Sequence, residues 1–550
     1  MHAGETRSGR TDLAGARETA SQPRQLSRAN EDDLPMRREA RRWWLVPVWI
    51  GCGTALFALL LRISLIHGLD SDGANNALQG WDMLHGNLLL HGWIIGDATY
   101  YTLELPLYAI TEAVLGLHIV TAHVVSVLTF MIVAACASAL AMTDSRGLAR
   151  AARCLAVIAV LASPVLVGAG AGRLLEEPDH FGTSAIMMVT FLLIDRAPGR
   201  RFTSPLVCAI LCAAQIGDAT VRYVAVPAVL LVCAYRVLAA RKIRTADAAV
   251  LLAAAASVPL SLLVRAAMTH FGAFAMVAPP TRISPAAQWP HHVALTLASI
   301  RSLFGATTGP TDPLGTVGAA FGTICLLAAA FGFARVLWTW RTASRSEQLL
   351  SAGIVMNVGA YVISTLATAK GTYEIIAVLP FGAVLAARAC VPGRIAGAWR
   401  ARAALAAAAA AALLPLVAAG TPPIQGLPAA PLAAWLEAHG LTYGIAGYWD
   451  ASDVAVQSGN QVQVRAIVPA GRTVAPYYWE SKPSWYDPSL YDATFVICET
   501  IGTSGNITPA LAERSFGRPA AIYQAAGRVI LIYKKNLLSE LPRPAPLPTS

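Results

Sequence analysis

Residues 68–105 read GLDSDGANNALQGWDMLHGNLLLHGWIIGDATYYTLEL. The segment stands between two apolar runs, each long enough to cross a membrane. It carries Asp70, Asp72, Asp82, Asp97 and Glu104 and contains neither Lys nor Arg. Lys and Arg mark the cytoplasmic loops of membrane proteins, so an acidic segment without them belongs on the outer side. A carboxylate just beyond the hydrocarbon suits acid–base chemistry on a surface-bound substrate, or a cation site. Within the segment, ANNALQGWDML reads as a short helix. Asp70, Ser71 and Asp72 are the candidates to cap its start.

The rest of the chain agrees with a membrane setting. Of 550 residues only 13% are charged, against about a quarter in soluble domains. A mean hydropathy of +0.53 therefore excludes a soluble globular protein. The net charge of +10 does not point to nucleic acid, because the Arg residues form no single patch. Residues 1–42 are polar and mixed in charge, and read as a disordered cytoplasmic N-terminus. Eight of the nine Cys lie in or beside apolar segments, and Cys498 alone falls in the C-terminal region. No disulfide framework is expected, and Cys498 reads as a small buried residue.

Basic clusters set the topology. Arg37, Arg38, Arg41 and Arg42 precede the first span, which predicts a cytoplasmic N-terminus. Later clusters are Arg146/Arg150/Arg153, Arg196/Arg200/Arg201, Arg236/Arg241/Lys242/Arg244, Arg335/Arg341/Arg345 and Arg388/Arg394/Arg400/Arg402. If each lies in the cytoplasm, every interval is a hairpin with its tip outside. The tips fall near 68–118, 173–182, 218–222, 267–313 and 369–374. One further run, Ala403 to Gly420, brings the expectation to about eleven transmembrane helices over residues 43–420. Polar residues gather at these tips: Arg173, Glu176, Glu177, Asp179 and His180; Asp218 and Arg222; Lys370 and Glu374. Ionisable groups beside hydrocarbon are costly and tend to be paired or functional. In the 267–313 tip, Val293, Leu297, Ile300 and Phe304 recur at helical spacing and predict an interfacial helix, with His291 and His292 at its start.

From residue 421 the composition changes. TPPIQGLPAAP reads as a linker, and strand-like runs follow at Val462–Val468, Thr494–Cys498 and Val529–Tyr533. A small extracytoplasmic α/β domain over 421–535 is expected, with a Pro-rich tail over 536–550. Its aromatics, Tyr448, Trp449, Tyr477, Tyr478, Trp479, Trp485 and Tyr486, suit either sugar stacking or core packing.

The order of motifs resembles the first outer loop of GT-C fold glycosyltransferases, such as aminoarabinose transferases and protein O-mannosyltransferases. An Asp follows the first span, a helix ends in Met83-Leu84-His85-Gly86, and Glu104-Leu105-Pro106 matches the family's Glu-x-Pro. The resemblance covers roughly residues 43–240. It places the family's Asp on Asp72, with Gly73 where a Glu is usual and Asp70 as the neighbouring acid. It places the acid of the second outer loop on Asp179. Tyr373 stands where an Arg is often found, with Lys370 as its replacement. The implied fold is mainly α and multi-pass, and the implied activity is inverting transfer of a monosaccharide from a polyprenyl-phosphate donor to an envelope acceptor. Asp72 or Asp70 would be the base, or Asp72 a helix cap. Glu104, Asp179, His180, Arg173, Asp218, Arg222 and Lys370 would bind substrate, and Asp72 with Asp179 could hold Mg or Mn. Membrane lipids, a lipid-linked donor and a cell-envelope glycan, lipid or protein acceptor are the implied partners, in a bacterial plasma membrane. A flippase of lipid-linked sugars and a non-catalytic glycan-binding scaffold are the other readings.

Overall fold

The computed structural model describes residues 45–69, 71–167, 174–176, 180–239, 245–277, 281–307, 313–395, 399–424, 429–499 and 507–542. The expected disordered segment over 1–42 lies outside them, as do Asp70, Arg173 and Asp179.

Two compact units divide the chain, Met1–Leu56 and Phe57–Ser550. The first contributes the start of helix α1 (Leu45–Ile66). The second holds everything that follows, and the boundary expected at 420 falls inside it. Residues 68–118 are not an open loop. They form α2 (Ser71–Leu84), a two-residue strand β1 (Ile94–Ile95) and α3 (Glu104–Leu115). Small residues on α2 let α3 approach closely: a Cβ on Gly80 would stand 2.6 Å from that of Tyr108.

The apolar helices then run α4 (Ile119–Ala141), α5 (Leu148–Ala162), α6 (Phe181–Arg196), α7 (Thr203–Gly217), α8 (Thr220–Tyr223), α9 (Ala225–Ala239) and α10 (Thr245–His270). After the short strand β2 (Ala275–Met276) come α11 (Trp289–Leu303), α12 (Pro313–Trp338), α13 (Arg345–Ile363), α14 (Val378–Cys390) and α15 (Trp399–Ala419). Among the described residues, eight helices are long and apolar enough to cross a membrane, and the chain is an integral membrane protein. The expected eleven is not reached on length and composition. The 16 residues of α6 rise about 24 Å, short of a ~30 Å hydrocarbon core.

The basic clusters converge. Arg388, on α14, meets Asp144 at 3.0 Å and Glu347 at 3.5 Å, and Arg335 pairs with the same Glu347. Arg345 meets Asp247 at 2.6 Å. The ends of α4, α10, α12, α13 and α14 therefore meet on one side. The 267–313 tip does contain a helix, α11, but its sidedness is inverted relative to a soluble helix. His292, Thr296 and Ser299 face the protein, while Val293 and Leu297 are exposed. That pattern fits a helix with lipid on its outer side. His292 bonds the Val362 carbonyl at 2.8 Å, and neither His291 nor His292 reaches the main cavity.

The C-terminal layer begins with α16 (Ala429–Ala438) and a six-stranded sheet of order β5-β4-β3-β6-β8-β7. The strands are β3 (Tyr443–Gly447), β4 (Gln463–Ala470), β5 (Thr473–Pro476), β6 (Phe495–Glu499), β7 (Ala521–Ala525) and β8 (Arg528–Ile532). β3 is parallel to both β4 and β6 and every one of its residues is buried, as a central strand requires. α17 (Tyr448–Gln457) makes the β3–β4 crossover, and α18 (Pro509–Phe516) covers the opposite face. One apolar core joins Ala74, Leu78 and Tyr108 of the acidic segment to Ala446, Val464 and Phe495 of the sheet. Leu537 and Leu538 are buried too, so the packed chain extends past the expected boundary at 535. Tyr448 and Tyr486 are buried, which assigns them to packing rather than to an open sugar platform; Trp449 is half exposed.

Candidate active site

A cavity of about 1320 Å³ opens where the acidic segment 71–118 meets α8, α10, residues 275–277 and 281–283, and the segment around 357–374. Much of its wall is apolar, from Leu262, Phe274, Met276 and Ile283, while Asp97, His180, Asp218, Arg265, Arg282 and Glu374 supply charge. Loop 97–103 reaches it because it is sewn to the end of α7. The Thr99 hydroxyl donates to the Ile216 carbonyl at 2.7 Å, the Tyr100 N–H donates to the Gly217 carbonyl at 2.7 Å, and Ala98 bridges to Asp218. Gly217 permits this approach, since a Cβ there would lie 2.5 Å from the Thr102 hydroxyl.

Asp218 is the best-partnered acid of the site. Its Oδ2 hydrogen-bonds His180 Nδ1 at 2.8 Å and accepts from Thr183 at 2.6 Å, and its Oδ1 accepts from the Thr220 N–H at 2.8 Å. Burial opposes its ionisation. The charge and hydrogen bond of His180, with Thr183 and Thr220, outweigh that and hold its pKa at about 2. His180 precedes α6 with a left-handed φ of 52°, and Tyr100 beside it has a φ of 49°. Such backbone is uncommon outside glycine and tends to collect at functional sites. Asp97 is half-buried and faces the same pair. Burial raises its pKa, His180 pulls it down, and Asp218 adds to the rise. The site thus sets a firmly ionised Asp218 and its His180 beside a carboxyl tuned upward, the separation that general acid–base chemistry uses.

Two solved structures share this architecture over nearly the whole chain. ArnT from Cupriavidus metallidurans bound to undecaprenyl phosphate aligns with a TM-score of 0.54 and 13% identity, covering 90% of this chain and 99% of its own. Its apo state aligns with a TM-score of 0.54 and 12% identity, covering 91% and 100%. The chain has a GT-C fold. No protein-family model matches the sequence, and no curated protein does.

On this GT-C frame the expected site residues separate. His180 and Asp218 line the cavity together. Glu104 lies behind them, fully buried, with its carboxyl over Gly182, where a Cβ would collide with it. Among the described residues no side chain bonds it; the backbone at Gly182 and its own N–H approach it. Burial and then the charge of Asp218 raise its pKa to about 8. Arg222 is half-buried beside the site and donates to Gln215 at 3.4 Å rather than lining the cavity. Lys370 is exposed and does not line it either.

Asp72 is placed elsewhere. It sits in the first turn of α2, not at its cap, and accepts a hydrogen bond from the Tyr448 hydroxyl of α17. It is absent from the cavity wall. Its expected metal partner Asp179 lies outside the described residues, and among those described no three His, Cys, Asp or Glu groups are placed to hold a metal ion. Sequence reasoning missed Arg265 and Arg282. Arg265 stands within an otherwise apolar span, which is itself a functional signal. It belongs to neither a basic cluster nor a polar tip, the two patterns that pick out cations in the sequence. Tyr373 where an Arg was expected is less anomalous once these two cations are in the wall.

Proposed function

We propose that the protein is a membrane glycosyltransferase that moves a monosaccharide from a polyprenyl-phosphate donor to an envelope acceptor on the outer face of the plasma membrane. The single observation that carries this is the cavity itself. On a GT-C fold, it combines a carboxylate–histidine cluster with two arginines and an apolar wall. Undecaprenyl phosphate is bound by ArnT, and a ligand of that class matches both chemistries here. Prenyl chain would lie along the apolar wall, and Arg265 and Arg282 would neutralise the departing phosphate. Asp97 would take the proton of the acceptor hydroxyl as its oxygen attacks the anomeric carbon. The sugar–phosphate bond breaks with its electron pair leaving on the lipid phosphate, and the sugar carbon inverts. Asp218 holds His180 in place beside the phosphate. Asp97 is favoured over Asp72 because Asp97 faces the cavity while Asp72 is bonded to Tyr448.

The test is transfer of radiolabel from polyprenyl-phosphate sugars to a larger product by membranes carrying the native chain, Asp97→Asn or Asp72→Asn. The expected result is transfer by the native chain, at least a 100-fold loss with Asp97→Asn, as removal of a general base produces, and retained transfer with Asp72→Asn. Loss only with Asp72→Asn returns the base to Asp72. Donor binding without transfer by the folded native chain rejects the enzyme reading in favour of a carrier or scaffold.

A further inference from the structure

The strand that leads into Asp97 is held from two sides. On one side, the Ala275 N–H donates to the Trp93 carbonyl and the Val277 N–H to the Ile95 carbonyl, each at 2.9 Å, and residues 275–277 form cavity wall. On the other side stands a turn of the C-terminal layer. The Ile94 N–H donates to the Ser481 carbonyl at 2.8 Å, and the Ser481 N–H returns to the Ile94 carbonyl at 3.1 Å. β1 therefore pairs with β2 at the cavity wall on one edge and is bridged to Ser481 on the other.

The side chains of the turn close on the same few residues. Trp479 lies over Gly96, the residue before Asp97, so closely that a Cβ on Gly96 would stand 2.8 Å from its ring. Lys482 pairs with Asp82 at 2.7 Å, and the same carboxylate oxygen accepts from the Trp93 indole at 2.8 Å. Trp93 meets Trp485 edge to face at 5.0 Å. Between Trp479 and Ser481, buried Glu480 adopts a left-handed φ of 49°, a conformation a non-glycine residue keeps only where its surroundings enforce it. A contact that only docked the C-terminal layer could fall anywhere on the first outer segment. Here the backbone pair falls on Ile94 and the Trp479 ring on Gly96, the residue before Asp97, while Lys482 reaches Asp82, which in turn holds the Trp93 indole.

We propose that the turn Trp479–Lys482 is a positioning element of the active site, fixing loop 93–97 so that Asp97 faces the reacting hydroxyl. This rests on the reading of Asp97 as the base. Trp479 touches no reacting atom; it acts through Gly96, and misplacement of a catalytic group by about 1 Å costs about 100-fold in rate.

The experiment measures kcat, donor KM and the pH profile of the full chain in detergent, for the native protein, Trp479→Ala, Trp479→Phe, Gly96→Ala and Asp97→Asn. Trp479→Ala is expected to lower kcat by about 10- to 100-fold with little change in donor KM. The acid limb of its profile should move to lower pH as water reaches Asp97, whose titratable neighbours are His180 and Asp218. Trp479→Phe should restore most of the rate. Gly96→Ala, which pushes on the ring without removing apolar surface, should lower kcat with folded yield intact. Unchanged kcat per folded molecule and an unmoved acid limb in Trp479→Ala, or full activity in Gly96→Ala, overturns the positioning role alone. An active Asp97→Asn variant overturns the base assignment and this inference with it.

Discussion

Asp218 and Glu104, both buried, titrate in opposite directions because, among the described residues, side-chain hydrogen bonds reach only Asp218. Asp218 is ionised because His180, Thr183 and Thr220 point at it, and its folded pKa of about 2 lies below the ordinary carboxylate value. A lowered pKa contributes stability that is complete above the unfolded value of about 3.9 and lost as pH falls toward 2. Glu104 is the reverse case. Its folded pKa of about 8 means that its burial costs nothing below about pH 4.3 and increasingly more above it. Glu104→Gln should therefore raise the thermal midpoint at pH 8 and leave it unchanged at pH 4, which a pair of melting curves would check. Equal midpoints at pH 8 would show that Glu104 finds a partner. At the same scale, the rate should fall as pH drops through the raised pKa of Asp97, because the base must be unprotonated to act.

At the scale of elements, backbone approach decides how the apolar helices pack. Lipid offers no hydrophobic drive between helices, so small residues at crossings matter more than in water. Gly332 of α12 lies against α14, where a Cβ would stand 2.5 Å from the Leu385 carbonyl oxygen. Gly332→Ala should push the two helices apart and cost about 1–3 kcal/mol, read as a lower melting temperature in detergent. Gly359, with open space around it, is the control position: Ala there should be neutral or slightly stabilising. The same logic explains Gly217, whose missing side chain lets loop 97–103 lie on the end of α7.

For the whole molecule, the apolar core shared by α2, α3 and the C-terminal sheet predicts that neither part folds alone. Truncation after Ile424 would strip cover from Ala74, Leu78 and Tyr108, all now buried. The truncated chain should aggregate on extraction and transfer no sugar, checked by gel filtration in mild detergent. A monodisperse, active truncation would contradict the shared core. If the cavity takes a polyprenyl phosphate, that lipid should also raise the melting temperature of the full chain, by an amount equal to about 2.7 kcal/mol at 100 times its Kd.

Hydropathy and charge placement alone determined the membrane class, the acidic segment without Lys or Arg and the gathering of polar residues between the apolar runs. These are properties of local composition, since apolar length and Arg position act on each segment separately. His180 and Asp218 were legible for the same reason: each stands at a tip where an ionisable residue needs an explanation. The pairing of those two across 38 positions, and the entry of Asp97 into the same cavity while Asp72 turned to Tyr448, were decided by tertiary structure. Asp72 and Asp97 look alike in sequence, both acids in one polar segment. What separates them is the sewing of loop 97–103 to α7 and the docking of α17 on α2, and both depend on contacts between residues more than a hundred positions apart. Arg265 carries a signal in the sequence, a cation in an apolar span, whereas Arg282 joins the site only because folding brings the cavity to it.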